Sequence, residues 1–224
     1  MGLFVWIFIP LTEAQECRLY FPDETGVIRE MKSYDQRDRL QSVTRHEIID
    51  RVERGDDITL TVRASYLDED EEEFYNVDLE LVCEDGIFKF DMKNFLDPET
   101  MAGYEEMGIE VTADDLHYPA RMNVGDNLPD ASIQMVITSN GMTILTTTVS
   151  LTDRKVEAME KVETEAGVFN CYKISYNTGT KAGFINVSGS AVEWVADGVG
   201  VVRNENYNRR GRLTGYSVLT FLGK

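Results

Sequence analysis

Apolar and polar residues alternate along much of this 224-residue chain, and that period of two restricts its fold more than any other feature. The clearest row has polar residues between its apolar members, which are Ile58, Leu60, Val62, Ala64 and Tyr66. Successive side chains of a strand point to opposite faces, so the row predicts a strand with one buried and one solvated face. Half-buried strands of this kind are typical of antiparallel sheets, and similar rows recur along the chain.

Turn signals separate the rows. Asp85-Gly86 and Asn140-Gly141 favour positive φ at both central positions, as a type I′ hairpin requires. A third hairpin tip is predicted at residues 208–211. Residues 114–119 and 125–129 are predicted to be loops, because each ends on a proline and carries turn-forming residues.

Many short strands at spacings of about 8–12 residues predict a mainly β fold, either an antiparallel β-sandwich or a curved, barrel-like sheet. No linker rich in Pro, Gly or Ser divides the chain, so residues 15–224 are predicted to form a single β-rich domain. A transmembrane barrel is disfavoured, since matched aromatic bands at the strand ends are lacking.

One short helix is predicted at about residues 98–107. Asp97 is a suitable N-cap, Pro98 suits the first helical position, and Gly108 suits the stop. Between them, methionine and tyrosine side chains recur at helical spacing and form one apolar stripe.

Residues 1–14 are arranged like a secretory signal. An apolar core at 3–9 is followed by Thr12 and Ala14 at positions −3 and −1 of a candidate cleavage site. The apolar run is far shorter than the roughly 20 residues that span a bilayer. We therefore predict export to the periplasm or cell surface, with an N-terminal buried strand as the alternative.

The three cysteines, Cys17, Cys83 and Cys171, match no zinc or redox spacing. Cys83 ends an alternating apolar row and is expected to point into the core. A bridge from Cys17 to either Cys83 or Cys171 is compatible with the sequence, which does not select between the two. Lipid attachment at Cys17 is disfavoured, because Glu16 stands where a lipobox has a small uncharged residue.

The chain carries 22 basic and 40 acidic residues, a formal net charge of −18. This balance argues against nucleic acid as a partner, because a phosphate backbone attracts Lys and Arg clusters. It argues equally against adsorption to an anionic membrane surface. An acidic, soluble β-protein is what composition allows.

Two local charge clusters are candidate binding sites. The acidic run at 68–73 contains Asp68, Asp70 and Glu72, which are a weak candidate site for Ca²⁺. A solvated hairpin tip is the better interpretation, because the run has neither a glycine nor the alternation of an EF-hand loop. The basic cluster Arg209, Arg210 and Arg212 is a candidate contact for an acidic partner, a phosphate or a lipid head group. A polar hairpin tip is the alternative for this cluster.

No catalytic, cofactor or metal motif is evident. His46 and His117 are the two histidines, interpreted as a surface strand residue and a loop residue, and neither belongs to a nucleophile motif. A glycosidase-like pair of carboxylates is compatible with so many acids, but the sequence does not say which acids face each other.

Closely spaced glycines near the C-terminus, Gly198 and Gly200, suggest tight bends where a sheet curls. With 22 aromatic residues in the chain, a curled sheet could enclose a concavity that holds a hydrophobic molecule. An ordinary filled core is the alternative.

Three motifs resemble an uncharacterised family of exported bacterial envelope β-proteins. They are Ala166-Gly-Val-Phe-Asn-Cys-Tyr-Lys-Ile174, then Trp194 with Gly198-Val-Gly-Val-Val202, and the segment Cys17-x-x-Tyr20-Phe21-Pro22. The resemblance extends from about residue 17 to the end. It implies a β fold and export, and it brings no catalytic residues with it, since the family is of unknown function.

Together these features favour an exported, non-enzymatic β-protein that binds a hydrophobic small molecule or an envelope protein through a curved sheet, without a cofactor. The alternatives are a carboxylate-based glycan hydrolase and a purely structural interaction module.

The signal prediction is tested by N-terminal sequencing and intact mass of the exported protein. We expect cleavage after Ala14, which leaves Gln15 as the first residue because small side chains at −3 and −1 fit signal peptidase. A mature protein that retains Met1 would contradict the prediction.

Overall fold

The computed structural model describes residues 16–95 and 108–224, and nearly all of them lie in antiparallel strands. The alternating row that predicted a strand is the third of these, and its inward side chains Leu60, Val62 and Ala64 are fully buried. Between them, Thr61 and Arg63 face outward or remain partly exposed. The period of two thus determines which face of the sheet is apolar.

Thirteen strands form one sheet. They are β1 Ile28–Asp35, β2 Leu40–Arg54, β3 Asp57–Leu67, β4 Glu73–Glu84, β5 Ile87–Asp91, β6 Gly108–Ala113, β7 Asp115–Pro119, β8 Ala131–Ser139, β9 Met142–Thr164, β10 Gly167–Ala182, β11 Ile185–Ala196, β12 Gly200–Asn208 and β13 Leu213–Gly223. Their order across the sheet is β6-β8-β9-β10-β11-β12-β13-β1-β2-β3-β4-β5-β7. The predicted mainly β fold is confirmed, and of its two forms the curved, barrel-like sheet is the one observed.

The two edge strands of this sheet, β6 and β7, are neighbours in the chain, separated only by Asp114. The Asp114 amide donates to the carbonyl of Ser132 on β8, and its carbonyl accepts from the amide of Met92, which follows β5. Asp114 therefore links the neighbours of the two edge strands, β8 on one side and the residue after β5 on the other, and the sheet is nearly closed into a barrel.

Strand β1 pairs with β13, so the first and last strands of the sheet lie side by side. Ile28 is opposite Gly223 and Asp35 is opposite Gly215, with one register shift between. All other neighbouring pairs except β6-β8 and β5-β7 are consecutive in the chain, and most are joined by tight turns.

The predicted hairpins are confirmed. Asp85 and Gly86 have φ of 53° and 72° between β4 and β5, while Asn140 and Gly141 have φ of 52° and 76° between β8 and β9. Both residues of each turn are left-handed, the geometry that matches the twist of a two-residue hairpin. The third predicted tip, residues 208–211, joins β12 to β13.

The prediction of a loop at 114–119 is wrong, because Asp115–Pro119 forms β7 and pairs with β5. A five-residue strand that ends in proline carries little local signal, and its pairing partner supplies the order. Residues 125–129 do lie outside the strands, as predicted. The predicted helix at 98–107 and the predicted signal at 1–14 lie outside the described residues. A 3₁₀ turn spans Met92–Phe95.

The core divides into two clusters. The larger one includes Leu19, Tyr20 and Phe21 from the segment before β1, packed against strands from both halves of the chain. The smaller one contains Cys171 and Trp194. No helix in the described part of the chain is long and apolar enough to cross a membrane.

A disulfide joins Cys17 to Cys83, with 5.8 Å between their Cα atoms. It fixes the N-terminal segment to β4, and it selects one of the two pairings that the sequence left open. Cys171 is a free, buried thiol, and burial raises its pKa to about 11, so it stays protonated at neutral pH.

Removing this disulfide should lower the free energy of unfolding by about 2–4 kcal/mol, because the open chain gains conformational entropy when unfolded. The comparison is denaturant unfolding of the wild type with a variant carrying Cys17→Ser and Cys83→Ala. In reductant the two proteins should converge, whereas Cys171→Ala should remain sensitive to reductant. Equal midpoints under oxidising conditions would contradict the prediction.

Candidate functional site

The curled sheet surrounds a cavity of about 480 Å³ that is partly open to solvent. Its wall is largely apolar and includes Phe88, Leu116, Val149, Leu151 and Val195, which come from four different strands. These side chains meet because each occupies an inward position of its strand and the sheet nearly closes. The cavity is the concavity that the sequence suggested.

The segment before β1 forms part of this wall. Tyr20 lines the cavity and packs against the rings of Phe88 and Tyr118, with centroid distances of 6.5 and 5.9 Å. Its hydroxyl donates to the carbonyl of Pro119 at 3.1 Å, and burial raises its pKa. The disulfide at Cys17 thus holds a segment that contributes directly to the cavity.

One polar group of the cavity is centred on Arg29 of β1, which is 4% exposed. Its Nη1 donates to Nδ1 of His46 at 3.3 Å, and its Nη2 donates to the carbonyl of Val201 at 2.6 Å. The guanidinium lies over the Phe21 ring, 5.1 Å from its centroid. Burial lowers the pKa of Arg29 to about 10, so this side chain remains charged at neutral pH.

Next to that guanidinium, His46 is neutral. Burial, together with the positive charge of Arg29, lowers the pKa of its imidazole to about 3. An uncharged ring leaves Nδ1 free to accept the hydrogen bond from Arg29. The ring also packs edge-on against Phe21, at 5.6 Å between centroids.

A second polar group joins β7, β9 and β11. The Tyr118 hydroxyl donates to Oε1 of Glu193 at 3.1 Å, and the Arg154 guanidinium lies over the Tyr118 ring, 5.0 Å from its centroid. Arg154 is 1% exposed and Glu193 is 6% exposed. Burial raises the pKa of Glu193, and the charge of Arg154 opposes that rise. Burial also raises the pKa of Tyr118 well above its usual value.

Several donors of these arginines have no partner. Nε of Arg29 and both Nε and Nη2 of Arg154 are buried without a hydrogen bond to any described residue. Neither arginine forms a contact ion pair within residues 16–95 and 108–224. A buried cation with unused donors is rare, because its desolvation is normally offset by an anion or acceptors.

The acidic run, where Asp68, Asp70 and Glu72 were the weak Ca²⁺ candidates, forms the tip between β3 and β4. Oδ1 of Asp68 accepts hydrogen bonds from the amides of Asp70 and Glu72, both at 2.9 Å. Glu71 pairs with Lys32 at 2.7 Å. Across the described ranges no three His, Cys, Asp or Glu side chains converge on a possible metal position. The run is therefore a structured turn, and this arrangement adds no support for calcium.

The basic candidates Arg209, Arg210 and Arg212 lie exposed at the tip between β12 and β13. Oδ1 of Asn208 accepts from the amides of Arg210 and Arg212 and shapes this tip. Arg209 also borders a polar groove lined by residues such as Ser150. Their contact with a partner stays a prediction.

Sequence reasoning missed the buried ionic residues Arg29, Arg154 and Glu193, and it misplaced the histidines. His46 lies in the cavity wall and not on the surface, and His117 is in β7 and not in a loop. One signal was present, since Glu193 interrupts the inward row from Ala191 to Val195. Using it requires knowing which face of the strand is buried.

Two solved structures have the same fold. A candidate lipoprotein from Parabacteroides distasonis ATCC 8503 has a TM-score of 0.77 and 24% sequence identity, covering 93% of this chain and 100% of that chain. A candidate exported protein with a YmcC-like fold from Bacteroides fragilis NCTC 9343 gives the same TM-score, identity and coverage. No curated protein sequence matches the chain. A family model described as DUF3108-like matches residues 24–219.

The neutral His46 predicts an acid-sensitive fold. Its pKa is about 3 in the folded protein and about 6.5 in an unfolded chain, so as pH falls below about 6.5 only the unfolded state binds this proton. Stability contributed by the neutral ring is complete above that pH and is lost as pH falls toward 3. We expect His46→Gln to flatten the decline in unfolding free energy between pH 6.5 and 4 by about 1 kcal/mol per pH unit. Gln retains an acceptor for Arg29.

The matched control is His117→Gln, which removes the other imidazole and should preserve the wild-type slope. Denaturant titrations at several pH values measure all three proteins. Parallel pH profiles for wild type and His46→Gln would contradict the assignment.

Proposed function

This chain belongs to the DUF3108-like family, and we propose that it is an exported, non-enzymatic binding protein that encloses a hydrophobic small molecule inside its curved sheet. The observation that carries the proposal is the cavity of about 480 Å³ with a mainly apolar wall. Small-molecule sites usually measure about 300–1,000 Å³ and combine apolar walls with a few polar groups. Both properties are met here.

Close packing is the normal state of a protein interior, and voids larger than a water molecule are few. A cavity of this size therefore needs a physical explanation. The wall residues belong to strands that are paired within the sheet, and cavity-lining Tyr20 is held by a hydrogen bond and ring contacts. Such a pre-formed wall favours a bound ligand, because little has to be ordered on binding.

Export is supported by three observations. The structural neighbours are described as a lipoprotein and an exported protein, both as candidates. The first 14 residues resemble a signal. The Cys17–Cys83 disulfide is typical of an oxidising compartment such as the periplasm or cell surface. Since Sγ of Cys17 is committed to that bridge, the same atom is not available for lipid attachment.

The glycan hydrolase alternative gains no specific observation. Retaining and inverting glycosidases use two carboxyl groups on either side of the bond. Glu193 is the one acidic side chain among the described residues that line the cavity. An envelope protein as partner, bound at Arg209, Arg210 and Arg212, stays a prediction, as does a purely structural role.

The cavity proposal is tested with N-phenyl-1-naphthylamine, an uncharged probe whose fluorescence rises in apolar surroundings. The wild type should bind it saturably. Val149→Trp should weaken binding about tenfold or more, because the larger ring occupies the cavity that Val149 lines.

The matched control is Val168→Trp, the same substitution at an exposed strand position. It should bind the probe like the wild type, and circular dichroism checks the fold of both variants. A wild type without saturable binding, or a Val149→Trp variant that binds equally well, would overturn the proposal.

A further inference from the structure

We propose that the cavity binds an amphiphile with an acidic head group, a carboxylate or a phosphate on an apolar chain, and that the Arg154 guanidinium binds the head. This inference rests on the proposed function and specifies the chemistry of its ligand. It is carried by the unused donors of Arg154 and by the charge balance of the cavity.

The two unpartnered donors of Arg154 are Nε and Nη2, which form one edge of the guanidinium. The remaining nitrogen, Nη1, donates to the carbonyls of Pro129 at 2.9 Å and His117 at 3.3 Å. These bonds and the Tyr118 ring fix the plane of the group. The side chain is therefore held in place with both donors of one edge buried and without an acceptor.

The same edge binds a carboxylate elsewhere in this protein. In the exterior pair of Arg63 and Asp78, Nε is 2.9 Å from Oδ1 and Nη2 is 3.1 Å from Oδ2. Paired N–H groups match the two oxygens of a carboxylate or phosphate, which makes this geometry both strong and selective. In Arg154, a residue that lines the cavity, the same two donors have no acceptor. Both atoms are almost inaccessible in this structure, so an acidic head group reaches them by displacing neighbouring side chains.

The charges lining the cavity do not balance. Arg29 and Arg154 are buried cations, and Glu193 is the one acidic residue among the described lining residues. Glu193 is bonded to the Tyr118 hydroxyl and forms no contact ion pair with either arginine among the described pairs. Even with Glu193 ionised, one positive charge is left over. In a region of low dielectric constant, an anionic ligand would compensate that charge.

Arg154 is a better anchor than Arg29. Both terminal nitrogens of Arg29 are used, one by His46 and the other by the carbonyl of Val201. Nε is its single unpartnered donor. Arg29 therefore lacks a complete free edge, and its charge contributes to the overall attraction of the cavity for an anion.

Apolar walls make the preferred anion an amphiphile. Val149 and Leu151 lie on β9, the strand that carries Arg154, and all three line the same cavity. A free inorganic anion would leave this apolar surface uncovered. An acidic head on an apolar chain covers it and also pairs the guanidinium.

The test measures displacement of N-phenyl-1-naphthylamine from the wild type by dodecanoate, dodecyl phosphate, dodecanol and inorganic phosphate, at a pH where the acids are ionised. At least one of the two anionic amphiphiles should displace the probe at concentrations about tenfold or more below those of dodecanol. Comparing dodecanoate with dodecyl phosphate identifies which head is preferred. Inorganic phosphate should not displace the probe.

Arg154→Met should lower the preference for the better anionic amphiphile over dodecanol about tenfold, with both affinities measured on the same variant. The matched control is Arg63→Met, which removes the same side chain from the exterior and should preserve every affinity. Arg154→Lys keeps the charge but removes the two-donor edge, and it should bind the anion with intermediate strength. If Arg154→Met does not fold, the inference is tested by Arg154→Lys and by the comparison of the four competitors on the wild type.

If dodecanol and both anionic amphiphiles displace the probe from the wild type equally well, the inference of an acidic head group is overturned. The proposed cavity function would still stand in that case, because the probe binds. If a folded Arg154→Met variant binds the anionic amphiphile as well as the wild type does, the role of Arg154 as the anchor of the head group is overturned. If inorganic phosphate is the one competitor that displaces the probe, the site binds small anions and the proposal of an amphiphilic ligand is overturned. If the probe and all four competitors fail to bind in direct calorimetry, the cavity function and this inference both fail.

Discussion

A sheet whose two edge strands are consecutive in the chain has to curl until those edges meet. Here β6 and β7 are joined by Asp114 alone, and its backbone bonds to Ser132 on one side and Met92 on the other. The curl follows from this short connection, and an interior follows from the curl. The backbone amide and carbonyl of Asp114 are both hydrogen-bonded at this closure, although β6 and β7 do not pair with each other.

The interior is not filled like an ordinary core. Apolar side chains cover most of it, yet two buried guanidinium groups and a buried carboxyl group also line it. Each contacts a neighbouring side chain: Arg29 is bonded to His46, Glu193 is bonded to Tyr118, and Arg154 lies over the Tyr118 ring. The unpartnered donors of Arg154 are the feature of this interior that differs most from an ordinary core, where buried polar groups are normally hydrogen-bonded.

The local features of the fold were predictable because they depend on neighbouring residues. The strand around Leu60 and the turns at Asp85-Gly86 and Asn140-Gly141 follow from alternation and from the φ that glycine and asparagine allow. Strand β7 was not predictable in this way, because its order comes from pairing with β5, a partner about thirty residues away. The buried arginines were missed for a related reason, since a charged residue in a strand is normally assigned to the solvated face.

The adjacency of β1 and β13 also bears on the order in which the chain can fold. Ile28 meets Gly223, so the contact that joins the two halves of the sheet spans nearly the whole sequence. Hairpins such as β10-β11 can form early from local contacts, but the enclosed interior cannot exist until the final strand has been delivered. If a chain of this kind crosses a membrane N-terminus first, the sheet can be completed only after the last strand has crossed, on the far side.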